Sequence, residues 1–369
     1  MATDYQPLFP YMEFARTEAF RSQLSLTQSG MPAADTALFG STLPIDFAWA
    51  GKEALPEVEE QLARHLGVDR SRVFVTLGAS AAMLLAAMAL FRPGTRVVSE
   101  TPSYEPLRAL PSLFGCDLAL LERRPEELWR IDPAAVQRAL AGARRGHVFI
   151  TNPNTPTGAR SSAAEIVELA RLAESAGGVL VSCEVYMEYE LDAAKRALAC
   201  RLAPNTVSIG SLTKAYGLGA LRVGWVALGE GLAAERRRFV DMQYLNYVDP
   251  PTVSLRLAAR AFGLLERLRE PIRAMERDQK PVLRRWLAET PGVQGFAPEL
   301  GLTSFPRLVG IDDTRAFARH LVERHGVDVV PGEFFGRPGH LRLGAGLPPA
   351  ELAEALARVS AGLASFRRR

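Results

Sequence analysis

The sequence predicts an α/β protein in which a mostly parallel sheet is covered by helices and is followed by a smaller α+β domain. Strand-like and helix-like stretches alternate through the middle of the chain, and polar residues follow several of the strand-like stretches. The pattern then changes after Asp249-Pro250-Pro251. Such alternation builds parallel sheets with helical crossovers, and 369 residues exceed the usual size of a single hydrophobic core.

The large domain is predicted from two hydrophobic periods. Apolar residues at helical spacing predict helices, and short runs rich in β-branched residues predict strands. Because ligands of open α/β sheets bind at the carboxyl ends of the strands, the polar residues there are candidates for a site. The predicted helices are residues 54–67, 80–91 and 162–177, and the predicted strands lie within 72–78, 95–104, 147–154, 178–186, 206–214 and 222–229.

The second domain is predicted from the pattern beyond the Asp-Pro-Pro stretch. Long charged helices are expected over residues 253–290, followed by a strand-like stretch at 301–310 and a helix at 314–326. A strand at 340–346 and a closing helix at 349–363 complete the chain. A mixture of separate helices and strands predicts an α+β unit.

Charge and cysteine content argue against several classes of protein. The 44 Lys and Arg residues against 41 Asp and Glu give a net charge of +3, and the basic residues are scattered apart from two Arg triplets, so we expect no nucleic-acid partner. Three cysteines without a CxxC pair argue against a disulfide framework or a structural zinc site. The chain shows no secretory-leader pattern and no apolar run of about 18 residues, which predicts a soluble, cytoplasmic protein without a membrane partner.

The stretch SLTKAYGLGALRVGW contains candidates for chemistry. Lys214 follows a predicted strand beside the hydroxyls of Ser211 and Thr213, and Arg222 follows in a glycine-rich context. Hydroxyls and an arginine suit a phosphate group, and a lysine can supply a Schiff-base amine. The alternative, on this stretch alone, is a solvated lysine on a loop. A dinucleotide-binding loop is excluded, because the glycines are not spaced as GxGxxG and no acid follows at the required distance.

This stretch resembles the SxxK(x)7R signature of fold-type-I pyridoxal-phosphate enzymes of the aminotransferase class I/II family. The resemblance implies an aspartate-aminotransferase-like large domain and the cofactor pyridoxal 5'-phosphate. It also implies that Lys214 forms the internal aldimine and that Ser211 and Arg222 hold the cofactor phosphate.

Other stretches resemble further parts of that family in the same order. TLGASAAM resembles the turn whose amides, here those of Ala79 and Ser80, meet the phosphate at a helix N-terminus. ETPSYEPLR resembles the segment whose aromatic residue, here Tyr104, stacks on the pyridine ring, and TNPNTPTG resembles a rigid loop beside that ring. VVPGEFFGRPGHLRLGAG resembles the strand whose arginine, here Arg342, binds the substrate α-carboxylate. The alternatives are a simple N-cap for Ser80, a half-buried aromatic for Tyr104 and a bridge between domains for Arg342.

Three positions depart from the family's pattern. In SCEVY, Cys183 stands where the family has the aspartate that pairs with the pyridine nitrogen, a role that a thiol can take only as the thiolate; an ordinary core thiol is the alternative. Strand alternation predicts that Glu184 points to the opposite face. Tyr186 keeps the tyrosine that reaches the cofactor's phenolate oxygen, whereas Thr155 replaces an asparagine that bonds the same oxygen. Trp49 stands where a tyrosine of the neighbouring subunit touches the phosphate.

The resemblance implies an aminotransferase that acts on an amino acid and a 2-oxo acid, as a homodimer with sites built from both subunits. Lys214 would also move the proton at the substrate Cα, with Tyr186 as a second catalytic residue. A second hypothesis, which follows from Cys183, is elimination, replacement or cyclisation of a specialised amino acid. A third is a non-catalytic binding protein on the same fold.

We expect the chain to divide into three segments. Residues 1–45 are predicted to pack on the small domain and to line the substrate entrance. Residues 46–250 would form the large cofactor-binding domain, and residues 251–369 the small domain.

Overall fold

The computed structural model describes residues 7–40 and 53–366. Its regular elements follow the predicted alternation. The strands are β1 (Leu24–Ser25), β2 (Val73–Thr76), β3 (Arg96–Thr101), β4 (Asp117–Glu122), β5 (Gly146–Thr151), β6 (Leu180–Cys183), β7 (Thr206–Ser211), β8 (Gly224–Leu228), β9 (Val293–Gln294), β10 (Thr303–Ser304), β11 (Arg307–Leu308), β12 (Val327–Asp328), β13 (Val330–Pro331) and β14 (Leu341–Gly344).

Helices cover the sheets and connect the strands. Residues 275–279 form one π-helical turn. The helices are α1 (Pro10–Thr17), α2 (Ala54–Leu66), α3 (Gly78–Leu90), α4 (Pro106–Leu113), α5 (Pro133–Leu140), α6 (Ala163–Ser175), α7 (Ala199–Leu202), α8 (Arg236–Asn246), α9 (Thr252–Gly263), α10 (Leu265–Leu268), α11 (Glu270–Ala274), α12 (Lys280–Glu289), α13 (Thr314–His325) and α14 (Pro349–Phe366).

A seven-stranded sheet in the order β2-β8-β7-β6-β5-β3-β4 forms the centre of the fold. Strand β8 is antiparallel to both of its neighbours, β7 and β2, and the remaining pairs are parallel. The predicted α/β fold with a mostly parallel sheet is therefore confirmed.

Both faces of the central sheet are buried, as parallel sheets require. On β5, Phe149 packs into the hydrophobic cluster that contains α2 and α3, whereas Val148 and Ile150 pack into the cluster that contains α5 and α6. Helix α6 begins with a capping box in which the Ser162 hydroxyl accepts from the Glu165 amide and the Glu165 carboxylate accepts from the Ser162 amide. This pairing satisfies two amide groups that a helix start leaves without partners.

The region beyond residue 251 differs in detail from its prediction. Prolines at the first turns of α11 and α12 divide the predicted long helices, since proline lacks an amide donor and is tolerated only near a helix start. The strand-like stretch 301–310 is two strands, β10 and β11, which belong to different sheets. Pro306 lies between them and cannot donate to a ladder.

The N-terminal segment is tied to the C-terminal part of the chain. Strand β1 pairs in parallel with β12 through Leu24 and Val327, and Tyr11 of α1 packs in a cluster with Phe334 and Phe335. These contacts support the division into three segments, which we retain as a proposal. In the part of the chain that the structure describes, no helix combines the length and apolar character needed to cross a membrane.

Candidate active site

A cavity of about 760 Å³ lies at the carboxyl ends of the parallel strands. Strands β5, β6 and β7 end beside it in Thr151, Cys183 and Ser211, because parallel strands deliver their last residues to one edge of the sheet. Trp49 lies outside the described residues. The other residues predicted to form the site all line this cavity: Ala79, Ser80, Tyr104, Thr155, Cys183, Tyr186, Ser211, Lys214, Arg222 and Arg342.

One end of the cavity forms a cradle for an anion. Gly78 begins α3 with φ +81°, and a side chain there would place its Cβ 2.6 Å from Arg222 Nη2. A Cβ at position 78 would therefore displace the guanidinium of Arg222 from its present place at the helix start, where it donates to the Leu77 carbonyl oxygen at 3.3 Å. The Ser211 hydroxyl and the first turn of α3 line the same cavity. A helix N-terminus, a hydroxyl and a guanidinium fit the phosphate of pyridoxal 5'-phosphate.

The Lys214 amine is held in the cavity without an acidic partner in the hydrogen bonds of the described residues. Its Nζ donates to Ser29 Oγ at 2.8 Å. Burial lowers the pKa of the amine, and the nearby cations Arg342 and Arg222 lower the pKa further. The Lys214 carbonyl oxygen accepts from the Met31 amide at 2.7 Å. A positioned amine with a lowered pKa has the properties of a Schiff-base nucleophile.

Cys183 is a protonated thiol at neutral pH. It ends β6 with 3 % exposure, and burial raises the pKa of the thiol to about 12, with Glu184 and Glu100 adding to the rise. The thiolate form that could imitate the family's aspartate is therefore disfavoured. A cofactor nitrogen at this position would face a neutral group.

Glu184 does not replace the missing aspartate. Its carboxylate accepts from the Ala199 amide at 2.8 Å, and Glu184 is absent from the lining of the cavity. Burial raises the pKa of this carboxyl to about 8. The side chain points away from the site, as strand alternation predicts.

Tyr186 and Thr155 lie together on the wall of the cavity. The Tyr186 hydroxyl donates to the Ser29 carbonyl oxygen at 2.8 Å. Burial raises the pKa of the phenol. The Thr155 amide donates to Thr151 Oγ1 at 3.1 Å, and Thr151 Oγ1 donates to the Glu100 carboxylate at 2.8 Å. This chain of bonds fixes the loop that carries Thr155.

Arg342 lines the cavity from β14 and has 3 % exposure. Its Nη1 donates to the Tyr11 hydroxyl and its Nη2 to the Thr27 carbonyl oxygen, both at 2.6 Å. The Nε atom is buried without a hydrogen-bond partner in the described structure. An arginine with a buried unsatisfied donor fits a carboxylate ligand, which accepts such donors in pairs.

The N-terminal segment supplies residues that the sequence motifs did not identify. Tyr11, Thr27 and Ser29 line the cavity and contact Arg342, Tyr186 or Lys214. The prediction that residues 1–45, with PYMEF at 10–14, line the substrate entrance includes these residues, but no motif in the sequence indicates their individual contacts. The Tyr11 amide donates to the Glu105 carboxylate, which anchors α1 over the site.

Comparisons with known proteins agree with this geometry. The family model described as aminotransferase class I and II matches residues 50–359. Capreomycidine synthase from Streptomyces vinaceus is 30% identical over 98% of this chain and 95% of its own length. A PLP-dependent aminotransferase from Streptococcus suis has a TM-score of 0.87 at 25% identity, and the PLP-dependent cyclase OrfR has a TM-score of 0.80 at 26% identity. Each of these two structures matches 98% of both chains.

Proposed function

The chain belongs to the aminotransferase class I and II family, and on this premise we propose that it transfers the amino group of an amino acid to a 2-oxo acid. The cofactor of the family is pyridoxal 5'-phosphate, which supplies an aldehyde that takes up the amino group and a ring that accepts electrons from the substrate Cα. The observation that carries the proposal is the presence of Lys214, the anion cradle and Arg342 around one cavity. Family membership favours an enzyme over the non-catalytic alternative.

Lys214 is proposed as the amine that holds the cofactor covalently and as the base that moves the proton of the substrate Cα. Its lowered pKa favours the neutral amine, which both roles need. Tyr104 would pack on the cofactor ring. Tyr186 and Thr155, which line one wall of the cavity, are proposed as the hydrogen-bond partners of the cofactor's phenolate oxygen once the cofactor is bound.

Substrate is proposed to bind between Lys214 and Arg342. Among the described residues, the lining contains three arginines, Arg16, Arg222 and Arg342, together with the Lys214 amine and no carboxylate. Such a lining attracts the two anionic groups expected here, the cofactor phosphate and the substrate α-carboxylate. The Arg342 guanidinium would bind that carboxylate, and Tyr11 beside it would close the site from the α1 side.

The quaternary structure and the location in the cell remain proposals. We propose a homodimer in which Trp49 of one subunit reaches the cofactor phosphate of the other, because Trp49 stands in the place of the family's tyrosine. The substrates are small molecules, and nothing in the charge distribution suggests a nucleic-acid partner. We propose a cytoplasmic enzyme.

A second candidate function is favoured by Cys183. A ring nitrogen that faces a neutral thiol stays unprotonated more easily, which makes the ring a poorer acceptor of electrons. This change favours reactions such as cyclisation, elimination or replacement on a specialised amino acid. The similarity to capreomycidine synthase and to the cyclase OrfR supports this candidate.

One experiment distinguishes these candidates. The enzyme loaded with cofactor is incubated with a panel of amino acids, with and without 2-oxo acids, and substrate and cofactor are both analysed by mass spectrometry. We expect the pyridoxamine form of the cofactor and a new 2-oxo acid, with Lys214→Ala as the inactive control. Release of a cyclised or eliminated product without the pyridoxamine form would instead establish the second candidate. If no amino acid in the panel is converted and the cofactor stays unchanged, the proposal of an enzyme that acts on simple amino acids is contradicted.

A further inference from the structure

The hydroxyl of Ser29 is the side-chain hydrogen-bond partner of Lys214 Nζ in the described structure, at 2.8 Å. Ser29 lies outside every stretch that carries the family resemblance, yet it touches the atom that reacts with the cofactor. Its place in the molecule is fixed by the segment of residues 27–31, which crosses the cavity beside Lys214. This contact has no role in the function proposed so far.

The approach of this segment to Lys214 is built into the backbone. The Met31 amide donates to the Lys214 carbonyl oxygen at 2.7 Å. A Cβ on Gly30 would lie 3.1 Å from both the Cα and the carbonyl oxygen of Lys214, so glycine is the residue that allows this spacing. The Tyr186 hydroxyl donates to the Ser29 carbonyl oxygen at 2.8 Å. Hydrogen bonds to the backbone at residues 29 and 31 therefore fix the position of Ser29 beside the amine.

The chemistry of the contact suits an amine that has to stay a nucleophile. A hydroxyl accepts one hydrogen bond from the amine and carries no charge, whereas a carboxylate in the same place would favour the ammonium form. The charged groups that act on the amine include the cations Arg222 and Arg342. Ser29 thus orients Nζ without promoting its protonation.

We propose that Ser29 is a further catalytic residue, which holds Lys214 Nζ whenever that amine is not bonded to the cofactor and presents it for return to the cofactor. The inference rests on the proposed function, because it needs Lys214 to be the attachment site. In the attachment step a carbon–nitrogen bond forms at the cofactor's aldehyde carbon. The aldehyde oxygen leaves as one water with the two protons of the neutral amine, so no oxidant or reductant is needed.

The test measures attachment separately from turnover. Cofactor is removed from the full-length enzyme, pyridoxal 5'-phosphate is added back, and covalent attachment is followed by absorbance and by borohydride reduction with peptide mass mapping. For Ser29→Ala we expect attachment at Lys214 to slow by about tenfold at saturating cofactor, because the amine loses its orientation. The affinity for cofactor before attachment should stay within about twofold, since the phosphate cradle is unchanged.

Matched variants separate this role from a structural one. Ser29→Thr keeps the hydroxyl and should restore most of the attachment rate, whereas Ser29→Cys keeps the size with a weaker acceptor and should be slow. Ser25→Ala is the control, because Ser25 lies on β1 just before that segment and its hydroxyl bonds the Thr27 hydroxyl at 2.9 Å. It should attach cofactor at the wild-type rate.

The outcomes distinguish the inference from the proposed function. If Ser29→Ala and Ser29→Cys attach cofactor to Lys214 at the wild-type rate, Ser29 has no such role and the proposed function stands. If the wild-type chain binds cofactor but peptide mapping finds none on Lys214, the proposed function fails and the inference fails with it. If Ser29→Ala unfolds at a lower temperature than the wild type, the attachment rates of Ser29→Cys and Ser29→Thr are compared instead. Equal rates for these two variants would contradict the inference, and a slower rate for Ser29→Cys would support it.

Discussion

At the scale of single residues, the proposed chemistry depends most on Cys183. The family's aspartate would present a negative charge to the ring nitrogen. Burial raises the pKa of the Cys183 thiol to about 12, so the thiol is neutral at physiological pH. The closest acid in sequence, Glu184, points to the other side of the sheet. The carboxylate of Glu100 is paired with Arg123 at 2.6 Å. The described surroundings of Cys183 therefore offer no free carboxylate to replace the missing charge.

Replacing the thiol by a carboxylate tests this interpretation. Cys183→Asp should protonate the cofactor nitrogen, change the pH dependence of the cofactor's absorbance, and speed conversion to the pyridoxamine form by at least about tenfold. Stopped-flow spectroscopy with a single amino acid measures the rate. Cys183→Ser, which replaces one neutral group by another, should keep the wild-type pH dependence. Identical spectra for the Asp variant and wild type would show that residue 183 does not contact the ring nitrogen.

The position of Cys183 at the end of a strand could be predicted from the sequence, but its protonation state could not. The SCEVY stretch sets the register, and its end on β6 follows from the hydrophobic run before it. Protonation depends on burial and on the distance to Glu100, which comes from another strand. For the same reason, the contact between Ser29 and Lys214 could not be predicted, since it joins residues 185 positions apart.

At the scale of elements, the anion cradle shows how a strand, a turn and a helix start combine. Strand β2 ends at Thr76, Gly78 turns the chain into α3, and Arg222 reaches that turn from the loop before β8. Arg222 itself has φ +53°, a left-handed conformation that is uncommon outside glycine. The left-handed backbone conformations of Gly78 and Arg222 thus accompany the contact between the Arg222 guanidinium and the N-terminus of α3.

A side chain at position 78 should disturb this cradle. Gly78→Ala would place a Cβ 2.6 Å from Arg222 Nη2, displace the guanidinium, and weaken cofactor binding by about tenfold or more. Gly94→Ala is the matched control, because Gly94 has φ +76° but open space around it. Both variants should lose stability on the order of 1–2 kcal/mol. Equilibrium dialysis with cofactor gives the affinities, and equal affinities for the two variants would contradict the role of the cradle.

The features that the sequence did not predict have different physical causes. Helix α1 is short and starts with proline, so its apolar residues show little more than two turns of helical period. Strand β4 lies at the edge of the sheet, where its side chains are exposed or half-buried and its four apolar residues are flanked by Asp117 and Glu122. The direction of β8 follows from pairing with β7 and β2, which no local pattern contains.

At the scale of the whole molecule, burial of Glu184 links stability to pH. The pKa of this carboxyl in the folded chain is about 8, above its ordinary value of 4.5. A raised carboxyl pKa means that the folded state keeps a proton that the unfolded state releases. The free energy of unfolding should therefore be unaffected by this group below about pH 4.5 and should fall as pH rises toward 8.

Removal of this titration should stabilise the protein at higher pH. Glu184→Gln keeps an acceptor for the Ala199 amide and cannot ionise. Relative to wild type, it should gain on the order of 3 kcal/mol of unfolding free energy between pH 5 and pH 8. Denaturant unfolding at several pH values measures the gain. The exposed Glu168→Gln, which only loses a surface pair with Arg171, should show almost none, and an equal gain in both variants would contradict the assignment.

The pairing of β1 with β12 also determines when during synthesis the site can exist. Leu24 pairs with Val327, and the Thr27 carbonyl oxygen accepts from Arg342. These contacts can form only after residues 327–342 have been synthesised. Contacts between such distant parts of a chain form late and slowly. The central sheet can fold on the ribosome while its cavity still lacks a wall. Nascent chains released before residue 342 would therefore carry Lys214 and the anion cradle but lack Arg342, which we propose binds the substrate carboxylate.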